Sequence, residues 1–539
     1  MDKEIELVKQ DKLFKYLKFA VGTEAWFIAY KNLPHNGGFY SVLIENDYAT
    51  ESMKDTSWDL SLGQGLPCCV TSGYGDDQII EYVRYGKKGV QPLVYYRSFE
   101  GVKPSYIEVL EEFRLYHNLF YDAKLNKYIK IDDNGDEEDI IIIEDDNTVK
   151  IKLKALKQFL AIKEMSLLFL FDSFYYSIKE LEDLGLEKKY ASNILDGDLV
   201  YSLSFNKVDW EHQNDKSFSR LHGKKIIKGF SKDFCGIWPY NENFEEEYDN
   251  FIIDIDENGC EITYTSNPDE LDNYFDNNPG APHYLTPVFF RKEVLNKYYN
   301  DPDKYTVSDG YIRCAGLWGV RVDNDNRDYV MVFLGDLGRD LSHKERQHWK
   351  SHNIPPDGNK ISTTCFKRSF EAEFWDPESP DLKFKQDFSL FNEAWATKYN
   401  WELFLPLNKD DAYHYKTLRI ALDNQNSFDE QVRGLVKIVI DSINTKKLDE
   451  LISAQVEGSI NKLEQFFKDN NLSNFSEHIT FLRNLQNLRS NGIAHRKGSN
   501  YQKSIKIFGI EEKSYSQIFE DILKDMNLLL DFLKNNFLL

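Results

Sequence analysis

The chain has 539 residues, a net charge of −23 and 14% aromatic residues. That length supports several domains and a core that needs no disulfide or metal staple. The aromatic content excludes a disordered chain, and the acidic balance excludes a surface that coats nucleic acid or anionic membrane as a whole.

Six cysteines (Cys68, Cys69, Cys235, Cys260, Cys314, Cys365) form no CxxC pair, which argues against structural zinc and for reduced thiols. The opening MDKEIELVKQDK is charged at once and has no signal-peptide core. The longest apolar runs, Ser166–Phe171 and Val330–Leu334, are too short to span a bilayer. A cytoplasmic chain with no membrane partner is expected.

Gly37–Ile44 and Gln91–Arg97 each read as a turn entering a strand. Tyr106, Val109, Leu110, Phe113 and Tyr116 recur at helical spacing and predict a helix from Ser105 to Leu119. Lys127–Ile131, Asp139–Ile143 and Thr148–Leu153 are β-rich segments between acidic turns and predict a meander. The nine Asp and Glu of residues 132–146 lack EF-hand spacing and read as solvated turns. Lys154–Ser166 predicts a helix. Hairpins are predicted from Phe251–Ile255 with Glu261–Thr265, and from Gly319–Val322 with Asp328–Leu334. The last arm is continuously apolar and so a buried strand. Residues 353–385 read as loop-rich.

From Ser427 the pattern turns helical. Ser427 and Glu430 fit a capping box, followed by an apolar face of Val432, Leu435, Val436, Val439, Ile440 and Ile443. Leu448–Asp469 and Phe475–Leu488 predict two more helices. Ser514 and Gln517 form a second capping box, opening a helix that runs to about Phe537. Four helices with short connections predict an antiparallel bundle. The expected fold class is α+β: a large mixed α/β region over 1–409, its subdivision open, then an all-α bundle over 410–539.

The third of these helices runs into Leu488-Arg489-Ser490-Asn491-Gly492-Ile493-Ala494-His495-Arg496-Lys497-Gly498. Five residues separate Arg489 from His495, with polar Ser490 and Asn491 between them, near the end of a helical bundle. Here the sequence resembles the HEPN superfamily, over about 110–130 of the 539 residues. The resemblance implies a metal-independent endoribonuclease with no cofactor. In it His495 would move the proton of the RNA 2′-hydroxyl, Arg489 would stabilise charge on the phosphate, and Asn491 and Ser490 would complete the site. These residue types suit that chemistry: imidazole titrates near neutral pH, and guanidinium pairs with phosphate oxygens. The products would be a 2′,3′-cyclic phosphate and a 5′-hydroxyl. The resemblance also implies a homodimer whose two Arg/His pairs meet across a composite cleft.

On a straight helix, positions six apart are rotated by about 600°, so Arg489 and His495 would diverge. Gly492 gives the chain a place to bend, and Asn491 and His495 would share a face if the helix resumed. From His478 to Ile510 there are six Lys and Arg and no Asp or Glu, the local patch that phosphate binding requires. Arg496, Lys497, Lys503 and Arg483 are the candidate RNA contacts, and Tyr501 the candidate stacking ring.

A purely structural account stands beside this one. Asn491-Gly492 can simply end a helix, with His495, Arg496 and Lys497 at its negative pole. The bare spacing also recurs between Arg346 and His352, outside any bundle, which marks that pair as a decoy.

Other motifs carry less. His343 and His348 are five apart and do not make HExxH. Glu371, Glu373, Asp376, Glu378 and Asp381 read as a polar loop rather than a magnesium site. Gly335-Asp336-Leu337-Gly338-Arg339 is neither a Walker A loop nor GxGxxG, and reads as a turn. Cys68 and Cys69 read as buried thiols. The stretch from Leu334 through Trp349 and Pro355-Pro356 to Phe370 resembles a recurring, uncharacterised pattern of long bacterial proteins, and no activity attaches to it. The combined expectation is a toxin or antiviral (abortive-infection) effector. Its N-terminal region would sense a phage or host trigger and restrain or position an RNA-cleaving bundle. The competing expectation is a non-catalytic HEPN dimerisation module carrying a ligand- or protein-binding sensor.

Overall fold

The computed structural model describes residues 25–33, 37–54, 56, 66–84, 89–145, 147–208, 214–235, 246–275, 277–408, 411–493 and 499–539, the side chains of 192, 193, 492, 493, 499 and 500 excepted. The fold is α+β. Two compact units divide near residue 245, one of 1–132 with 136–245 and one of 133–135 with 246–539. This division falls inside the expected 1–409 region, whose subdivision the sequence leaves open. Among the described residues no helix is long and apolar enough to cross a membrane.

The first unit is built on one antiparallel sheet. Its strands are β1 (Trp26–Leu33), β2 (Gly37–Glu45), β3 (Phe120–Asp122), β4 (Lys127–Ile131), β5 (Glu137–Glu144), β6 (Thr148–Lys152), β7 (Met165–Ser177), β8 (Lys189–Asp196), β9 (Leu199–Lys207) and β10 (Ser217–Lys228). The order across the sheet is β8-β9-β10-β7-β2-β1-β6-β5-β4-β3, with Gln91–Pro92 added beside β2. The predicted meander is present as β4-β5-β6. β7 lies between β2 and β10 and is buried at every residue from Met165 to Phe171; a strand covered on both faces reads as an unbroken apolar run.

Helix α1 (Leu153–Lys163) packs Leu156, Phe159 and Leu160 into the same core. It stops three residues short of the predicted Ser166, because Glu164 turns left-handed (φ 55°) and hands the chain to β7. The predicted helix over 105–119 is corrected. Tyr106–Val109 is a strand paired with Val94–Arg97, and only Glu111–Tyr116 is helical. Ile107 and Val109 are buried on alternate positions, so the period of two prevailed over the period of 3.6.

His117 is buried in this unit, with Nε2 2.9 Å from the Ala155 carbonyl oxygen. Burial pushes its pKa down to about 4, beyond what the carbonyl acceptor restores. The folded value lies below the unfolded 6.5, so the neutral ring's contribution is complete above pH 6.5 and is lost as pH falls toward 4. The linkage amounts to about 3 kcal/mol. The urea midpoint of this unit is expected to drop between pH 6.5 and 4, and His117→Phe is expected to flatten that drop.

In the second unit, Asn250–Ile255 and Glu261–Thr265 form the predicted hairpin. The other predicted hairpin is corrected: Trp318–Arg321 pairs with Tyr311–Cys314, and Tyr329–Phe333 pairs with Pro287–Arg291, leaving only an isolated bridge between Asp323 and Met331. Val330 and Val332 enter one apolar cluster, Met331 and Phe333 another. Burial on both faces is what the continuous run signals, not the identity of its neighbour.

The longer helices that follow are α2 (Leu334–Asp340), α3 (His343–Lys350), α4 (Thr363–Phe370), α5 (Pro380–Tyr399), α6 (Gln425–Val439), α7 (Thr445–Leu451), α8 (Ser459–Asp469), α9 (Ser476–Ile493), α10 (Ser499–Ile507) and α11 (Tyr515–Leu533), with the short helix Ala412–Thr417 between α5 and α6. The predicted turn at 335–339 is thus helix α2. The helical core opens in α5 with Phe384, Phe388, Phe391 and Trp395, which join Leu435, Val439, Leu523 and Leu530, so the bundle begins about thirty residues before the expected 410. The predicted helix over 448–469 is two helices, broken before Gly458 at φ 88°. Asn424, not Ser427, caps α6, whereas the Ser514/Gln517 capping box is present as predicted.

Candidate active site

Leu482, Leu485 and Leu488 are buried on one face of α9 and fix its rotation against the bundle. Their spacing of three and three puts Arg489 at the edge of the buried face and Ser490 on the exposed side. The Arg489 side chain is 29% exposed, and its Nη2 donates to Asp441 Oδ2 at 2.9 Å. Asp441 follows the end of α6 and is itself partly exposed. Asn491 Nδ2 donates to Ser504 Oγ at 2.9 Å, tying the last turn of α9 to α10. His495, Arg496 and Lys497 lie outside the described residues. The structure thus gathers Arg489, Ser490 and Asn491 at the end of one helix, with Asp441 beside them.

Tyr501 requires a correction. It is 1% exposed, packs in the bundle core one turn from Ile505, and donates its hydroxyl to Asp429 Oδ1 at 2.8 Å. Burial, reinforced by the Asp429 carboxylate, raises its pKa. A ring held there cannot stack on a base.

The cationic patch also changes in three dimensions. Arg483 donates to Asn461 Oδ1 at 2.9 Å and pairs with Glu464. Lys506 pairs with Glu511 at 2.7 Å. Lys468, and then Arg483, hold the Glu464 carboxyl below its ordinary range. Lys503 is exposed with no ion pair among the described residues. Sequence that is free of acids over 478–510 is therefore met by carboxylates from elsewhere, and Arg483, Arg489 and Lys506 are each neutralised. Asp441 and Glu464 escaped the sequence reading because they lie 48 and 19 residues from their partners.

The decoy pair is accounted for. Arg346 is fully buried in α3, where it donates to the Gly338, Leu341 and Glu247 carbonyls. With no exposed surface, Arg346 plays a structural part. His348 Nε2 meets the Val294 carbonyl at 2.9 Å, and His343 faces Asp249 and Glu247. The acidic run near 371–381 is dispersed: Lys367 takes Glu371 and Glu373, Gln386 takes Asp376, and Asp381 accepts from Ser379. Among the described residues no group of three His, Cys, Asp or Glu converges as a metal site. Cys69 is exposed and Cys68 partly so, which corrects the expected buried pair.

Comparison with family models, curated proteins and solved structures finds no match to this chain.

Proposed function

We propose that the C-terminal bundle is a HEPN-type endoribonuclease that needs no metal. The observation that supports this reading is the partly exposed Arg489 guanidinium on the last turns of α9, six positions before His495 and beside a helix end pinned by Asn491 and Ser504. His495 takes the 2′-hydroxyl proton, the 2′-oxygen bonds to phosphorus, and the bond from phosphorus to the 5′-oxygen breaks as that oxygen takes up a proton from imidazolium, leaving a 2′,3′-cyclic phosphate and a 5′-hydroxyl. Arg489 donates to the phosphate oxygens as charge builds on them. The proposal includes a homodimer joined through the bundle, a cytoplasmic setting, and a toxin or antiviral role under control of the N-terminal region.

A second reading, a non-catalytic HEPN dimer module attached to a ligand- or protein-binding region, is favoured by one observation: carboxylates already neutralise Arg483, Arg489 and Lys506. The deciding measurement is cleavage of RNA by the full chain in EDTA, for wild type, Arg489→Ala and His495→Ala. The nuclease reading expects cleavage by wild type alone; a silent wild type, or cleavage that survives in both variants, overturns it.

A further inference from the structure

The motif around Gly335 and Gly338 has a packing reason. A Cβ on Gly335 would stand 2.1 Å from a Tyr284 ring carbon, and one on Gly338 would stand 1.8 Å from the Ser266 carbonyl oxygen. The bare backbone lets the Tyr284 ring lie on α2, where its hydroxyl donates to Asp336 Oδ1 at 2.9 Å. One turn on, Arg339 reaches Asp336 at 2.8 Å and grips both Asp340 oxygens at 2.6 Å. This group forms one wall of a cavity of about 770 Å³, closed elsewhere by the loop after Trp318–Arg321, by Met331 to Phe333, and by one face of α4. The size suits a small organic molecule.

The charges of the lining do not balance. Asp309, Asp323, Asp325, Asp336 and Asp340 face Arg321, Arg339 and Arg368, which leaves the cavity two charges negative. Arg339 is committed to Asp336 and Asp340, and Arg368 to Asp309 at 2.7 Å. Asp323 and Asp325 have no ion-pair partner among the described residues. Asp323 accepts from the Ser362 amide at 2.7 Å; Asp325 accepts from the Thr364 hydroxyl and the Glu378 and Ser379 amides. Lys292 approaches the same loop but donates to the Asn324 and Asn326 carbonyls, so it offers these carboxylates only a longer-range counter-charge.

Asp323 is 4% exposed. A carboxylate buried without a cation is costly, and burial accordingly raises the pKa of Asp323. The Tyr284, Tyr311 and Phe333 rings line the same space; Arg339 already lies over the Tyr284 ring at 5.8 Å and Arg313 over the Tyr311 ring at 4.9 Å, so the attraction for a further cation rests on the two carboxylates.

We propose that this cavity binds a small organic cation, an alkyl guanidinium or primary ammonium compound, whose charged head pairs with Asp323 and Asp325 while its chain lies against Met331 and Phe333. The site lies outside the bundle, and its test does not depend on RNA cleavage. Titration calorimetry of the full chain uses agmatine and putrescine as probes, 1,4-butanediol as the neutral control and inorganic phosphate as the anionic one. At least one of the two cations is expected to bind once per chain. Asp323→Asn, which keeps an oxygen for the Ser362 amide, is expected to weaken that binding by about thirtyfold or more. Ser369→Trp, on the exposed rim of α4, is expected to block entry without touching either carboxylate, and circular dichroism checks that both variants fold. Absence of binding by both cations at millimolar concentration overturns the proposal. So does equal binding of butanediol or phosphate, and so does cation binding that neither variant weakens.

Discussion

Arg489→Ala is expected to lower RNA cleavage by about a hundredfold or more, the loss seen when one donor to a developing oxyanion is removed. The substitution should leave the bundle folded, because Arg489 is only partly buried and its hydrogen bond runs to the partly exposed carboxylate of Asp441. The melting temperature of the variant should therefore stay within a few degrees of wild type, which separates lost chemistry from lost structure. Arg489→Lys keeps the charge but not the two-pronged donor geometry, and is expected to restore only part of the rate. Asp441 sharpens the test. Its carboxylate competes with a substrate phosphate for the same guanidinium, so Asp441→Asn is expected to lower KM for RNA if Arg489 touches the phosphate. A pair that is merely structural predicts no change in KM. Gel-based kinetics on one RNA, with the four proteins side by side, read all of these outcomes.

What the residues disclosed and what they withheld follow from the range of each interaction. The meander of β4 to β6 and the capped start of α11 are local: each rests on residues within a few positions of one another, and each is present. The start of α5 was hidden because Trp375-Asp376-Pro377-Glu378-Ser379-Pro380 carries turn residues up to its first position. Proline is at home at the head of a helix as well as in a loop, and Phe384, Phe388, Phe391 and Trp395 were the signal that distinguished them. The break before Gly458 was hidden by apolar residues that keep helical spacing on both sides of it.

At the site, Arg489 was legible because its context is one helix. Its pairing with Asp441 was not, since nothing local joins residues 48 apart. The burial of Tyr501 was legible in principle, because Ile505 stands one turn away on the same face, but the surrounding lysines suggested a surface. The cavity lining comes from separate segments between Tyr284 and Ser369, so no window of sequence contains it.

Arg346→Ala is expected to destabilise the second unit by about 3–5 kcal/mol, the range for removing one member of a buried charged network. Arg346 has no exposed surface, yet its guanidinium is held by carbonyls as much as by charge. It donates to Gly338 at 3.0 Å, to Leu341, and to Glu247 at 2.8 Å; Glu246 supplies one carboxylate oxygen at 3.3 Å. The Tyr248 ring lies beneath it, 4.8 Å from the guanidinium carbon. Removing the side chain orphans acceptors at the C-terminal end of α2 and in the segment before Asn250–Ile255, and leaves a void over the Tyr248 ring where a fully buried side chain stood. The Glu246 carboxylate is half exposed, so Glu246→Gln should cost about 1 kcal/mol or less. The ordering is the decisive feature. If the carbonyls carry the network, Arg346→Ala far exceeds Glu246→Gln in urea unfolding; if the ion pair carries it, the two losses are equal. Because α2 also forms a wall of the cavity, Arg346→Ala should weaken cation binding there even under conditions where the unit remains folded, whereas Glu246→Gln should leave that binding unchanged.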